Sequence, residues 1–322
     1  MENLKEILVT EKFKDTRLDV FLVKKHLVSS RSSSLKLISR PAVFLKGKAL
    51  KSSYRLKTGD LLKIILPPIQ DVLDSKLIPY DHPLEIIFED EEILVVNKPA
   101  GLVVHPAPGH KDKTLVNILF SKKKLSSGSH KLRPGIVHRL DKEVSGLMIL
   151  SKTKNSEKNL IQQFKKHEIE RKYWAITLYA PSVYQGKIET WIKRDSIHRK
   201  KFVSLKRFQS GSKKAISYYK VLKQHRSGIS WLECQLKTGR THQVRVHLSS
   251  IGCPILGDFT YGRQKLSFIK DKLLKKELQN LKRIALHAQS LKFKHPQSKK
   301  ILSFKSPWPK ELRFLLENLK IR

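Results

Sequence analysis

Three stretches of the 322-residue chain carry side chains that could do chemistry. The first runs Asn97-Lys98-Pro99-Ala100-Gly101-Leu102-Val103-Val104-His105-Pro106, the second from Arg133 to Leu150, the third from Lys237 to Leu248. The second is the most charged. Six of the eight residues from His138 to Ser145 are polar or charged, with Asp141 among them and Arg139 two positions earlier. Taken alone, Asp141 reads as a surface ion pair. A loop held between buried strands is positioned rigidly, which suits catalysis.

The elements around these residues follow from apolar spacing. Ile93–Val96 is an apolar strand; Pro99 and Gly101 force a turn, and Leu102–Val104 is expected to resume the strand. Thr114 should cap a helix with Leu115, Ile118 and Leu119. Apolar strands are expected on both sides of the 138–145 loop, with Gly146 closing it. Gly239 breaks a strand with alternating Leu232, Cys234 and Leu236. Thr241 is then expected to cap a helix with Val244, Leu248 and Ile251 on one face and His242 and Arg245 on another. Tyr173, Ala175 and Thr177 should share one strand face.

The charge balance narrows the partners. Lys and Arg number 66 against 28 Asp and Glu, a net charge of +38. Residues 1–70 hold 15 basic and six acidic side chains, net +9; residues 71–100 hold two and eight, net −6; residues 101–322 hold 49 and 14, net +35. Such an excess favours a polyanionic partner. A hydrophobic fraction of 39% and 25 aromatics argue against a disordered basic tail. No apolar run approaches the ~18 residues of a membrane span, so no membrane partner is expected. Two cysteines, Cys234 and Cys253, exclude a disulfide framework and fit a reducing cytosol, so the expected location is cytoplasmic.

Pro67-Pro68 opens the acidic interlude. Residues 68–84 read as a linker between a domain over 1–67 and a larger one over 85–322. In the first, Leu18, Phe21 and Leu22 mark one helix, and Ser30-Arg31-Ser32 begins a second with Leu35 and Ile38. Val43–Leu45 is a strand, Lys46-Gly47-Lys48 a turn and Leu61–Leu66 a strand. The RLD start, the serine-rich helix start and the V-x-x-x-G-K turn resemble the S4 RNA-binding module. Pro41 and Lys46 stand where a glycine and an asparagine are usual.

The larger domain resembles the RluA family of RNA pseudouridine synthases, in particular its RluD-like branch. The resemblance rests on NKPAGLVVHP, HRLDKxxSG and KTGRTHQVRVH, together with Arg171-Lys172-Tyr173-Trp174-Ala175, Gly257-Asp258-x-x-Tyr261-Gly262 and Leu286-His287-Ala288. It implies an α+β catalytic domain with a mainly antiparallel mixed sheet and a central cleft. It implies isomerisation of uridine to pseudouridine in structured RNA, first of all large-subunit (23S) ribosomal RNA, with transfer RNA or both as the alternative. A non-catalytic ribosome-assembly factor on the same fold is the competing class. The reaction needs no redox partner, metal or cofactor, and no metal-ligand spacing is present. A monomer is expected.

The resemblance also assigns roles. Asp141 is the catalytic carboxylate, and Arg245 the cation that keeps it ionised. Tyr173 is the stacking platform for a flipped base, with a hydroxyl that could move a proton from C5 or C2′. Arg139 enters the RNA stack or binds phosphate. Arg240 and His242 join it in RNA contact, as do Arg17, Arg31, Lys36 and Lys46 in the S4-like module. His138 is expected to bond loop backbone, and Asn97 and Lys98 to shape the loop beneath the site. Residues 264–283 read as a helical, lysine-rich surface insertion.

Overall fold

The computed structural model describes residues 3–25, 27–28, 31–66, 77–107, 110, 112–122, 124, 133–198, 201–262 and 266–319. The chain divides into two compact units, Met1–Lys76 and Leu77–Arg322.

The first unit contains β1 (Asn3–Leu8), a 3-10 turn at Glu11–Phe13, α1 (Leu18–Lys24), α2 (Arg31–Ser39), β2 (Val43–Leu45), β3 (Lys48–Ala49) and β4 (Leu61–Leu66). Its sheet is antiparallel in the order β1-β4-β2-β3. Leu62 and Ile64 alternate inward from β4 and meet Leu18, Phe21 and Leu22 from α1. Lys46 and Gly47 both take positive φ, the conformation a two-residue hairpin requires. Leu37, rather than Leu35, carries α2 into the core; Leu35 is exposed. The helix therefore presents Ser34 and Leu37 inward, and Ser34 Oγ donates to the Asp19 carbonyl.

The second unit contains β5 (Glu85–Glu89), β6 (Ile93–Lys98), α3 (Leu115–Ser121), β7 (Ser145–Ser151), α4 (Lys154–Lys165), β8 (Glu170–Thr177), β9 (Gln185–Arg194), β10 (Phe202–Leu205), β11 (Lys213–Gln224), β12 (Ser230–Leu236), α5 (Gln243–Ser250), α6 (Lys272–Asn280), β13 (Leu286–Lys294), β14 (Ile301–Lys305) and α7 (Lys310–Asn318). Ten strands form one sheet in the order β10-β9-β11-β12-β8-β13-β7-β6-β5, with β14 also on β13. Among the described residues every pairing in it is antiparallel except β13 with β7.

The central strands are buried on both faces. From β6 and β7, Leu94, Val96, Met148 and Leu150 enter one core, which α3 covers with Leu115, Ile118 and Leu119. Ile93, Val95, Leu147 and Ile149 enter the opposite core with Leu160 of α4. One row crosses the middle of the sheet: Gly146 of β7 faces Ala288 of β13, Ala288 faces Tyr173 of β8, and Tyr173 faces Cys234 of β12.

Several expected elements differ. Leu102–Val104 forms no strand, because the carbonyls of Val103 and Val104 accept the N–H groups of Leu115 and Val116, at the start of α3. Before the 138–145 loop there is only a single bridge, Ile136 with Leu150. Residue 67, at the end of the expected first domain, lies outside the described residues, as does part of the expected linker, 68–76. Its remainder is packed on the second unit: Ile78 accepts from Asn117 Nδ2, Tyr80 accepts from Ser121 Oγ, and Tyr80 and Leu84 lie against the core. In the expected surface insertion, Leu266, Ile269, Leu274 and Leu278 are buried in the main core, so this segment is a structural part of the domain.

Candidate active site

The loop before β7 places Asp141, and the turn after β12 brings α5 up to it. Asp141 is 15% exposed at its side chain, and Arg245 Nη1 donates to its Oδ2 at 3.3 Å. The other edge of the Arg245 guanidinium is held by Asp258, with Nε to Oδ2 at 2.7 Å and Nη2 to Oδ1 at 3.0 Å. Burial works against the Arg245 charge, yet Asp258 and Asp141 outweigh it and raise its pKa above the ordinary guanidinium value. Arg245 is thus a fixed cation, and its Cζ also lies 5.1 Å from the Tyr261 ring centre.

His242 is the residue before α5 and takes a left-handed backbone, φ 57°. Thr241 does not cap the helix as expected. No side chain caps the helix; Gln243, its first residue, instead ties back the preceding turn, its Oε1 accepting from the Arg240 N–H and from Thr238 Oγ. Tyr261 Oη accepts from the Phe202 N–H at 2.9 Å and lies 2.7 Å from His242 Nδ1. His242 Nε2 lies 3.7 Å from Asp141 Oδ2. Burial lowers the His242 pKa, and Asp141 only partly opposes this. The gap between His242 and Asp141 is too long for a direct hydrogen bond.

Tyr173 is 7% exposed, and Ala175 and Thr177 are buried with it on the same strand face. Burial raises the Tyr173 pKa, and the Asp141 charge adds to this against an opposing pull from Arg171. The hydroxyl stays protonated at neutral pH. Behind it, Trp174 turns to the other face and meets Trp231 edge-on at 5.1 Å and Trp308 at 5.4 Å.

Beneath the loop lies Lys98, fully buried. Its Nζ donates to the carbonyls of Pro99, Leu102 and Lys142 at 2.8, 2.9 and 3.2 Å. One ammonium thus ties the 99–102 turn to the residue after Asp141. Burial pushes the Lys98 pKa down to about 7, partly offset by Asp141 and Glu143. Asn97 turns away to Glu85. His138 accepts the Ile149 N–H at Nε2 and packs 4.8 Å from the Phe164 ring; burial takes its pKa down to about 3. The far end of the loop is fastened by Ser145, whose Oγ accepts from Arg283 Nη2 at 2.5 Å and lies 2.8 Å from His287 Nδ1.

The structure thus brings Asp141, Arg245 and His242 together, with Tyr173 near enough to sense the Asp141 charge. Arg139 is exposed on the same loop. Arg240 is half-buried, and its Nε donates to the Lys214 carbonyl. In the first unit, Arg17 and Arg31 both pair with the buried Asp19, while Lys36 and Lys46 are exposed. Among the described residues no three His, Cys, Asp or Glu side chains gather as a metal site. None of the described helices is long and apolar enough to cross a membrane.

The comparisons with known proteins agree with this geometry. Residues 92–250 match the family model for RNA pseudouridylate synthase, and residues 16–62 that for the S4 domain. The chain is 40% identical over 322 residues to ribosomal large subunit pseudouridine synthase D of Zymomonas mobilis, covering 98% of each chain.

The chain belongs to the RNA pseudouridine synthase family.

It is also 36% identical to an uncharacterised RNA pseudouridine synthase of Bacillus subtilis, over 98% of each chain. Among solved structures, human RNA pseudouridylate synthase domain containing 4 is similar with a TM-score of 0.57 and 28% identity, over 73% of this chain and 93% of that one. The synthase is therefore an isomerase acting on RNA, built as an α+β domain behind an S4 domain. Sequence reasoning did not single out Asp258 and Tyr261 of the synthase as site residues. Their signal was present in the Gly257-Asp258-x-x-Tyr261-Gly262 motif, whose spacing brings one side chain to Arg245 and the other to His242.

Proposed function

We propose that the synthase converts uridine to pseudouridine in large-subunit ribosomal RNA, with Asp141 as its catalytic carboxylate. The observation that carries the catalytic role is the contact of Asp141 with an arginine that a second, buried carboxylate holds in place. The reaction breaks the N1–C1′ bond, turns the base and joins C5 to C1′; the C5 proton leaves and N1 regains one. A carboxylate is needed as a nucleophile or to stabilise a cationic sugar. Arg245 places a fixed positive charge in contact with the Asp141 carboxylate.

The target uridine must leave its stack at a cost of a few kcal/mol. Stacking on Tyr173 returns about 1–3 kcal/mol of this. The protonated Tyr173 hydroxyl acts as a donor, and it takes up a proton from the sugar or base only if it first gives up its own. Arg139, exposed beside Asp141, contacts the RNA where the base has left or on a phosphate. Arg240 and His242 line the same approach. Arg17, Arg31, Lys36 and Lys46 bind RNA phosphate from the S4 domain. The ribosomal target follows the printed names of the Zymomonas relative and of a Neisseria meningitidis relative, also a ribosomal large subunit pseudouridine synthase D, 37% identical over 95% of this chain.

The test is pseudouridine mapping of total RNA from cells lacking the gene, complemented with wild type or with Asp141→Asn. Loss of specific sites in large-subunit RNA, restored by wild type only, is the expected result. Full modification by Asp141→Asn overturns the catalytic assignment. Sites lost from transfer RNA instead overturn the ribosomal target.

A further inference from the structure

Arg171 stands on β8 two residues before Tyr173, on the same face, and is 8% exposed. Its Nε is buried without an acceptor, and among the described residues its guanidinium has neither a carboxylate partner nor a hydrogen bond. The Phe164 ring lies 5.3 Å below it, which compensates a buried cation only in part. Its pKa is lowered by burial, with Tyr173 alone opposing.

Gly239, just beyond β12, adjoins this guanidinium. A Cβ at position 239 would come within 2.8 Å of Arg171 Nη1. Gly239 does not have a positive φ, so its backbone would accept other residues. What glycine provides here is room for the arginine. More positive charge surrounds it. Burial lowers the pKa of His167, and so do the charges of Lys237, Arg171 and Arg240. Four basic groups from the α4–β8 turn, β8 and the β12–α5 turn therefore converge.

We propose that Arg171, with Lys237 and Arg240 around Gly239, is a seat for the RNA phosphate next to the flipped uridine. A planar guanidinium fork suits a phosphodiester better than any single point charge. Two residues along a strand put the backbone positions of Arg171 and Tyr173 about 7 Å apart on one face, so both side chains are offered to the same RNA. RNA binding completes the hydrogen bonding that Arg171 lacks within the protein. The seat would thereby set which nucleotide reaches Tyr173. This proposal rests on the reading of the protein as an RNA-modifying enzyme.

The test uses the full-length enzyme and a synthetic RNA stem-loop that the wild type converts. Affinity is measured against salt for wild type and Arg171→Met. Losing one phosphate contact should reduce the slope of log Kd against log salt by about 0.7–0.9. A scan of single methylphosphonates along the RNA should find one linkage beside the target uridine that weakens wild-type binding about 10–100-fold. That same linkage should have no further effect on Arg171→Met. Gly239→Ala, which keeps the arginine but displaces Nη1, should lose the same methylphosphonate response, and it carries the test if Arg171→Met fails to fold. An unchanged salt slope, with every linkage weakening wild type and variant alike, overturns the seat. If wild type converts no uridine in any RNA, the enzymatic reading falls instead.

Discussion

Arg245 and Asp258 form a two-point ion pair, 2.7 and 3.0 Å, and it leaves Nη1 of the arginine aimed at Asp141. Asp258 Oδ1 also accepts the N–H groups of Thr260 and Tyr261, so the acid is itself fixed by its own turn. Asp258→Asn keeps part of this hydrogen bonding but loses the charge that orients Arg245. Single-turnover conversion of uridine should fall about 10–100-fold, the scale of a small misplacement at a reacting centre. RNA affinity measured in parallel should change far less. Equal losses in both would place Asp258 in binding rather than in positioning.

Gly146 stands at the exit of the catalytic loop with φ +120°, and a Cβ there would lie 2.4 Å from the Ala288 carbonyl oxygen. Gly146→Ala must part β7 from β13 as well as strain its own backbone. A loss of about 3 kcal/mol in urea unfolding is expected. Residual folded enzyme should also turn over slowly, because both strands carry the site.

Two buried histidines, His247 and His287, and the half-buried His138 make the fold sensitive to acid. Burial lowers His138 to about 3 and His247 and His287 to about 4, against an unfolded value near 6.5. Between these values the unfolded chain binds more protons than the native one, so stability falls as pH falls. Each group contributes at most about 1.4 kcal/mol per pH unit in that window. Unfolding free energies at pH 7, 6 and 5 should drop progressively, before most carboxylates begin to titrate. A flat profile from pH 7 to 5 would contradict the burial of these rings.

The S4 unit has its own point of weakness. Asp19 is buried between Arg17 and Arg31; burial opposes its charge, but the two arginines hold its pKa below the usual carboxylate value. Asp19→Asn should destabilise the first unit by about 1–3 kcal/mol, towards the low end because both arginines are partly solvent-screened. Limited proteolysis should then cut within residues 1–66 while the second unit survives.

Much of this was legible from residue order. The β4 strand, the Lys46–Gly47 turn and the Thr114-headed helix follow from local patterns, and the structure places each where the spacing puts it. The failures are cases where tertiary partners decided. Leu102–Val104 is apolar enough for a strand, but the first turn of α3 takes its carbonyls. Thr241 is a good cap by type, yet the left-handed His242 takes the N-cap position without a side-chain cap, and Gln243 reaches back to hold the turn instead. β1 gives a weak pattern, since Leu4 and Leu8 are exposed and pairing with β4 alone defines it. The pairing of Asp258 with Arg245 needs the turn after α5 to fold back onto the helix, so the motif around Asp258 marks the residue but its spacing does not name the partner.

The row from Gly146 through Ala288 to Tyr173 has a consequence for how such an enzyme can diverge. Ala288 is registered against both neighbours, so the spacing between the catalytic loop and the tyrosine is written into strand pairing. Loops, basic side chains and the appended N-terminal unit can all change without altering that spacing. Changes confined to the periphery would leave the register between the Asp141 loop and Tyr173 as it is.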